Sequence, residues 1–429
     1  DVTIAGTGMI TANTTLSANF LSESLPINFD ASWQAQRIPM VPNASLDAGQ
    51  LTISGTMGDY KLKGNGSANV PDMGDVPVAL DVVLKKNNIY VNEADISALE
   101  GSIKNTGTLY LNDTIAWQGK TTLTNVSAQQ FSEFAPAKLQ GNIDSILQYS
   151  ETGGLHVSLR DMDITGILRG SPIQVVGEAV YAGPSDLLVA NLNVEQNENR
   201  IKAVAQVLNK RYINADIDVD ISEISMLYGD VSGSLKGAIK ANGPWQNPST
   251  TSKINLSNIN VSPSLNAQAS QQGALNGDVS VSGTYENHNA EIALSFPNNA
   301  VNLIMSGSWK AQHWKGTISD SKLEIANMRW LLSSPFNLDI GMPTQTSPIT
   351  AKISSHCWSS RGEGELCIEN VNYLENKASW DVTASSLPVG LWAHELAPLT
   401  VSKASDAALT VKSQGSYSAA DPIDATFTA

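Results

Sequence analysis

A two-residue period runs through most of this chain. Ile27, Phe29, Ala31, Trp33 and Ala35 alternate with Asn28, Asp30, Ser32, Gln34 and Gln36. The same alternation recurs at Ile201, Ala203, Ala205 and Val207, at Ile213, Ala215, Ile217, Val219 and Ile221, and at Ile292, Leu294 and Phe296. Successive side chains of a strand point to opposite faces, so each segment predicts a strand with one apolar and one wet face. A chain written this way is mostly antiparallel sheet, and its apolar face is the expected working surface.

The chain has 429 residues, enough for two or three compact domains. No Pro/Gly/Ser-rich linker or charge block divides it, however, and the strand pattern crosses every candidate boundary. The expectation is therefore one continuous elongated module over 1–429, a fragment of a longer protein, with approximate repeat units 100–200, 201–300 and 301–429. Roughly ten residues per strand and turn gives about 35 to 40 strands, far more than the roughly ten an open sheet carries without curling or splitting. At about 4.8 Å per strand they would stack to roughly 170 to 190 Å, a length suited to a bridge.

Lys and Arg number 26 against 41 Asp and Glu, a net charge of −15, and the basic residues are scattered singly. That argues against nucleic acid and against an anionic bilayer surface, both of which select clustered cations. No apolar run is long enough to span a membrane as a helix. The two cysteines, Cys357 and Cys367, flank Ser359-Ser360-Arg361-Gly362-Glu363-Gly364. This spacing suits a hairpin closed by a disulfide, which would place the chain in an oxidising compartment. Two reduced thiols, or a zinc site completed by His356, are the other readings.

Catalytic phrases are missing. His156, His288, His313, His356 and His394 are dispersed, and no nucleophile elbow, phosphate loop or dinucleotide fingerprint stands in a convincing context. Asp216, Asp218 and Asp220 share one face of a strand and read as a solvated polar face, since calcium ligands converge through a turn. Neither an enzyme nor a cofactor or metal site is expected. Trp33, Trp117, Trp309, Trp314 and Trp380 stand in or beside β-patterned runs, where cross-strand packing or a place bordering an apolar slot would suit them.

A unit recurs along the chain. One copy runs from Ile217-Asp218-Val219-Asp220 through an amphipathic turn at Ile224, Leu227 and Tyr228. It continues to Gly233-Ser234-Leu235-Lys236-Gly237, Gly243-Pro244-Trp245-Gln246-Asn247-Pro248 and Asn258-Ile259-Asn260-Val261. A second contains Trp117-Gln118-Gly119, Leu123-Thr124-Asn125-Val126, a helical Phe131 and Phe134, and Leu139-Gln140-Gly141. A third has Trp380, a helix near Leu391 and Trp392, Pro398 and Gly415-Ser416-Tyr417, with Val401-Ser402-Lys403-Ala404-Ser405 in place of the Gly-x-Leu-x-Gly phrase. Such recurrence is the mark of a repeat architecture.

The run from Trp330 and Pro335-Phe336-Asn337-Leu338 through His356-Cys357-Trp358, Glu365-Leu366-Cys367 and Trp380 to Leu396-Ala397-Pro398 resembles the central periplasmic region of the TamB family, within the AsmA-like group. The resemblance implies an all-β fold, an elongated curled antiparallel or mixed sheet with a few short helices. Such a sheet folds lengthwise into an open trough, a β-taco with an apolar interior. It further implies carriage of phospholipid between inner and outer membrane as part of a translocation and assembly module. Phospholipid acyl chains and an outer-membrane barrel protein resembling TamA would be the partners. The setting would be the periplasm, with an inner-membrane anchor outside this chain.

Elementary physics supports a trough as well. An apolar face on every strand must be covered by a layer, by curvature or by a ligand, because bare apolar area costs roughly 25 cal/mol per Å². Short helices cannot cover that many strands. The candidates for lining such a groove are Ile27, Phe29, Ala31, Trp33, Ile201, Ala203, Ala205, Val207, Ile213, Ala215, Ile217, Val219, Ile292, Leu294 and Phe296. A scaffold or chaperone that offers edge strands for outer-membrane protein assembly or secretion by β-augmentation is the alternative. A passenger-type β-solenoid is a third reading, which would need neither the cysteine hairpin nor the helix-containing unit.

Overall fold

The computed structural model of the chain describes residues 2–3, 12–18, 25–33, 36–37, 45–70, 74–129, 136–209, 211–263, 273–297, 299–310, 312–325, 328–342, 348–360, 364–374, 377–388, 408–418 and 421–428. They form two compact units, Asp1–Arg211 and Tyr212–Ala429. The first carries β1 (Val2–Thr3), β2 (Ala12–Ala18), β3 (Ile27–Trp33), β4 (Gln36–Arg37), β5 (Ser45–Thr56), β6 (Asp59–Val70), β7 (Gly74–Lys85) and β8 (Asn88–Ala98). It continues with β9 (Gly101–Leu111), β10 (Ile115–Val126), β11 (Ala137–Ser150), β12 (Gly154–Leu168), β13 (Ser171–Ala182), β14 (Leu187–Gln196) and β15 (Asn199–Leu208).

The second unit carries β16 (Tyr212–Ile221), β17 (Val231–Pro244), β18 (Ser249–Val261), β19 (Leu275–Thr284), β20 (Asn287–Phe296), β21 (Asn299–Lys310) and β22 (His313–Ile325). Then follow β23 (Met328–Leu332), β24 (Phe336–Gly341), β25 (Thr350–Ile353), β26 (His356–Ser360), β27 (Gly364–Leu374), β28 (Lys377–Pro388), β29 (Ala408–Ser418) and β30 (Asp421–Thr428). Thirty strands among the described residues fall short of the expected 35 to 40, because many run longer than the spacing assumed, β12 reaching 15 residues. The fold is all-β, as the two-residue period requires, and the recorded pairings are antiparallel rather than mixed.

Within each unit the strands form a meander, successive strands pairing except where short segments make β3 pair with β5, β22 with β24, β23 with β26 and β25 with β27. Two short 3-10 turns, Gly183–Ser185 and Ile224–Met226, are the helical elements among the described residues. The second is the expected turn around Ile224, capped where the Glu223 carboxylate accepts from the Ser225 amide at 3.1 Å. The Ser225 hydroxyl, and after it the Ser225 amide, hold the carboxyl below its ordinary range. The helical readings at Phe131 and Phe134 and at Leu391 and Trp392 lie outside the described residues, as does Val401 to Ser405.

The recurring phrases encode β-bulges. Leu123-Thr124-Asn125-Val126 and Leu256-Ser257-Asn258-Ile259 share a pattern, and in both the Asn adopts a left-handed conformation (φ 53°) where the ladder skips a residue. Asn tolerates this conformation better than most residues. Opposite Asn258, Gly233 has φ +109°, and a Cβ there would strike the Asn258 carbonyl. Bulges bend strands, and these sit near one set of strand ends.

β23 and β24 are one strand interrupted at residues 333–335, where Pro335 has no N–H for the ladder. β25 and β26 are interrupted alongside, at residues 354–355. Backbone and side chain of Ser354 bridge the gap, its N–H donating to the Asn337 carbonyl (2.9 Å) and its hydroxyl accepting from the Asn337 amide (2.8 Å). A ring cluster fills the break. The His356 ring stacks on Phe336 at 3.7 Å between centroids, and Trp358 meets both edge-on.

Beside this cluster Cys357 and Cys367 are register partners in β26 and β27 and are joined by a disulfide. Replacing both with Ala is expected to cost about 2 kcal/mol, the loop-closure contribution of a short loop. The loss should be local, read as faster amide exchange over β26 and β27 with the rest of the second unit unchanged.

His356 is 4% exposed, and its Nδ1–H donates to the Ser354 carbonyl at 2.7 Å. Burial lowers its pKa from the ordinary 6.5. The unfolded chain then takes up a proton at higher pH than the folded one. Stability is full above the unfolded value and declines as pH falls below it. Denaturation midpoints of the second unit should therefore fall between about pH 7.5 and about pH 5, and His356→Phe should remove that component. An unchanged pH profile in the variant would refute it.

Candidate functional site

Register pairing carries side chains of one face from strand to strand, because directly opposed residues point the same way. In the first unit one such row runs Phe29, Ile53, Leu62, Val82, Val91, Gly107, Gly119, Ser145, Leu159, Ala179, Ala190 and Ala205. Small or apolar side chains occupy it throughout. In the second unit a corresponding row runs Val219, Gly237, Ile254, Val279, Ile292, Leu303 and Ser321.

The residues singled out from the sequence fall on these faces. Ile27, Phe29, Ala31, Trp33, Ile201, Ala203, Ala205 and Val207 share one face of the first unit, and Ile213, Ala215, Ile217, Val219, Ile292, Leu294 and Phe296 share one face of the second. All fifteen are half-buried, while Asn28, Asp30, Lys202, Asn214 and Glu291 on the opposite face are exposed. A flat, uncovered sheet would expose both faces alike. Half-burial of one face with no covering layer among the described residues is what a sheet curled about its apolar side produces.

Ion pairs hold the other face. Lys240 meets Asp216 at 2.7 Å and Lys236 meets Asp220 at 3.0 Å, with Lys63–Asp81 (2.9 Å) and Lys104–Glu93 (2.7 Å) in the first unit. The aspartates of β16 thus form a solvated ladder, as their alternation implied. Such exposed pairs contribute little stability. Two surface depressions of about 410 and 400 Å³ also open on this polar side, between Lys236, Lys253, Asp278, Ser280, Ser282 and Glu291.

Indole rings pave parts of the apolar face, packing across strands, which is one of the two places the sequence suggested for them. Trp117 lies over Gly107 and Gly119 and donates from Nε1 to the Ser145 hydroxyl at 3.0 Å. Gly107, Gly119 and Ser145 are successive register partners, so one ring spans three strands. Trp314 repeats the device over Gly307 and Gly316, donating to His288 Nε2 at 2.8 Å. His288 Nδ1 in turn faces the Thr284 carbonyl, which fixes the tautomer that accepts at Nε2. A Cβ at any of these glycines would collide with the ring. The signal lay in Trp117-Gln118-Gly119 and Trp314-Lys315-Gly316, whose shared spacing places Gly beside the ring on the same face.

Trp33 covers Gly49 and Gly66 in the same manner, and Trp380 donates to the Ser413 hydroxyl at 3.1 Å. Trp309 borders Tyr285 at 6.1 Å between ring centroids. His313 lies 3.5 Å from Asp339 at the surface, and His394 lies outside the described residues. Among the described residues the one group of three potential metal donors is Cys357, Glu365 and Cys367, and its two sulfurs are bonded to each other. No helix of the described residues is long and apolar enough to cross a membrane.

The chain is 24% identical over 398 residues, 84% of its length, to the translocation and assembly module subunit TamB of Haemophilus influenzae. It spans 30% of the length of that relative. No solved structure matches the chain. The family model described as the TamB N-terminal domain matches residues 1–280 and again 264–419, and with nearly the whole sequence so covered, the chain belongs to the TamB family.

Proposed function

We propose that this chain is a segment of a periplasmic bridge that carries phospholipid between the inner and outer membranes, its acyl chains lying along the apolar face. The carrying observation is the unbroken row from Phe29 to Ala205, half-buried apart from the buried Val82 and Ser145, with no layer of protein over it among the described residues. Apolar area left to water costs roughly 25 cal/mol per Å², and an acyl chain removes that cost without needing a directional partner. Ser145, the polar member of the row, has its hydroxyl engaged by Trp117. The disulfide fits an oxidising compartment such as the periplasm.

The curated relative is named as a subunit of a translocation and assembly module, and the reading extends that role to this chain, with an outer-membrane barrel resembling TamA as the partner. The work is physical and non-enzymatic, removing the desolvation barrier that slows lipid transfer through water. Charge is kept to the opposite face, where the Lys and Asp pairs lie.

Photo-crosslinking residues placed at Ile201, Ala203, Ile213, Ala215, Ile292 and Leu294 should capture phospholipid, and those at Lys202, Asn214 and Glu291 should not. Capture in both units supports a path rather than one pocket. Capture at none of the inner positions overturns the lipid reading and favours a scaffold that binds outer-membrane strands by β-augmentation.

A further inference from the structure

The tyrosines are not distributed over the sheets. Antiparallel meanders have two edges made of turns, and in the first unit one edge carries the turns at 57–58, 86–87, 112–114, 151–153 and 183–186. Tyr60, Tyr90, Tyr110, Tyr149 and Tyr181 each stand within three residues of one of them. The second unit repeats this: Tyr212 opens β16, Tyr285 lies in the turn before β20, and Tyr373 and Tyr417 are the penultimate residues of β27 and β29. All four belong to the edge where β17 ends and β18 begins. Nine of the ten tyrosines thus line one edge of their unit, Tyr228 alone following the opposite one. Trp117, Trp245, Trp309 and Trp314 stand at this edge too, while Trp33 and Trp330 lie towards the far one, Phe29 lies in mid-strand and Phe296 ends β20 at the far edge.

Exposure follows the same division. On the apolar face at the tyrosine edge, Leu111, Ile115, Tyr149 and Leu155 are successive register partners and all exposed, Ile115 at 47% and Tyr149 at 52%. Tyr417 is 44% exposed. At the far edge, Val126 and Ile221 are each 4% exposed, as are Met328 and Trp330. There Gln196 closes the margin by donating from Nε2 to the Leu168 carbonyl at 2.9 Å. The far edge is closed at these positions, and the other edge carries exposed apolar side chains among its phenols, with Tyr60, Tyr149, Tyr181, Tyr373 and Tyr417 on the apolar face and Tyr90, Tyr110 and Tyr212 on the polar one.

Tyr and Trp have an apolar body and a polar tip, and they gather where hydrocarbon meets a hydrated polar layer. Phe, lacking the polar tip, has no such preference for the boundary. We infer that the tyrosine edge is the mouth of the groove, at which a diacyl glycerophospholipid holds its glycerol ester and head group while its tails lie on the face behind. This rests on the lipid reading above and adds the orientation of the cargo. Phenols such as those of Tyr149 and Tyr417 would donate to ester and phosphate oxygens at the lip, while Trp117 and Trp314, whose N–H groups go to Ser145 and His288, would supply apolar ring surface behind them.

The test uses the whole chain loaded from phosphatidylethanolamine vesicles containing one of two photoreactive phospholipids, with the reactive group on the head or at the end of an acyl chain. Labelled peptides are then mapped by mass spectrometry. Expected are head-group labels on segments around Tyr149, Leu155 and Tyr417, with loss of that label around Val126 and Ile221, and tail labels on segments containing Ile254 and Ile292. Tail labels on the apolar face with head-group labels at the far edge, or equally at both edges, overturn the orientation and leave the lipid reading intact. No tail label on the apolar face overturns the lipid reading and this inference with it.

Discussion

Ile217→Asp is expected to abolish phospholipid retention, while Asn214→Asp leaves it unchanged. Both positions lie in β16, three residues apart, and differ in the face they occupy. Ile217 is half-buried, opposes Ile239 and lies between Ala215 and Val219 on the apolar face, whereas Asn214 opposes Asn242 on the exposed one. An acyl chain can neither solvate nor pair a carboxylate, so an ionised side chain introduced at Ile217 beneath lipid costs several kcal/mol, more than enough to empty the site. The empty protein should tolerate the change at a cost of about 1 to 2 kcal/mol, because Ile217 is not sealed in a core. Ala205→Asp provides the matching test in the first unit. The measurement is lipid extracted per mole of folded protein, with denaturation midpoints in parallel. Equal retention by Ile217→Asp and Asn214→Asp would show that the apolar face holds no lipid.

Face assignment was readable because it is local: over Ile27–Trp33 burial alternates residue by residue as the side chains do. Such a pattern needs no knowledge of which strand lies next door. The disulfide was readable for a similar reason, since a short hairpin dictates its own register and makes Cys357 and Cys367 partners. The Asn125 and Asn258 phrases were visible as repetition, but that they mark left-handed bulges emerges only when the partner strand is known. Among the described residues the strands are fewer than the spacing of turn-forming residues implies, because that spacing understates strand length where Gly and Asn lie inside strands, as Gly107 and Gly119 do. The indole paving and the tyrosine edge stayed hidden because both are relations between strands. A tyrosine near a turn carries no message until alternate turns are assigned to opposite edges.

Gly307→Ala is expected to destabilise the second unit by about 1 to 3 kcal/mol, the usual range for overpacking a filled site. In an exposed strand this substitution ordinarily helps, since Ala restricts the unfolded chain and strands disfavour Gly. Here the three nearest atoms to the added Cβ are Cζ2, Cε2 and Nε1 of Trp314, all within 2.9 Å. The ring is 8% exposed and anchored by its bond to His288 Nε2, so it cannot rise from the sheet without losing both packing and that bond. Gly307 is a better probe than Gly316, where the added methyl would also strike the Ser306 carbonyl and mix backbone strain into the result. Trp314→Leu gives the cycle that isolates the ring. In that background Gly307→Ala should cost little or stabilise slightly, with a coupling energy of about 1 to 3 kcal/mol between the two sites. An equal cost in both backgrounds would mean that the glycine is required by the backbone alone. A coupled cost establishes that the glycines exist to let the indole lie flat, keeping the apolar face shallow where a full-sized side chain would stand up into the space above it.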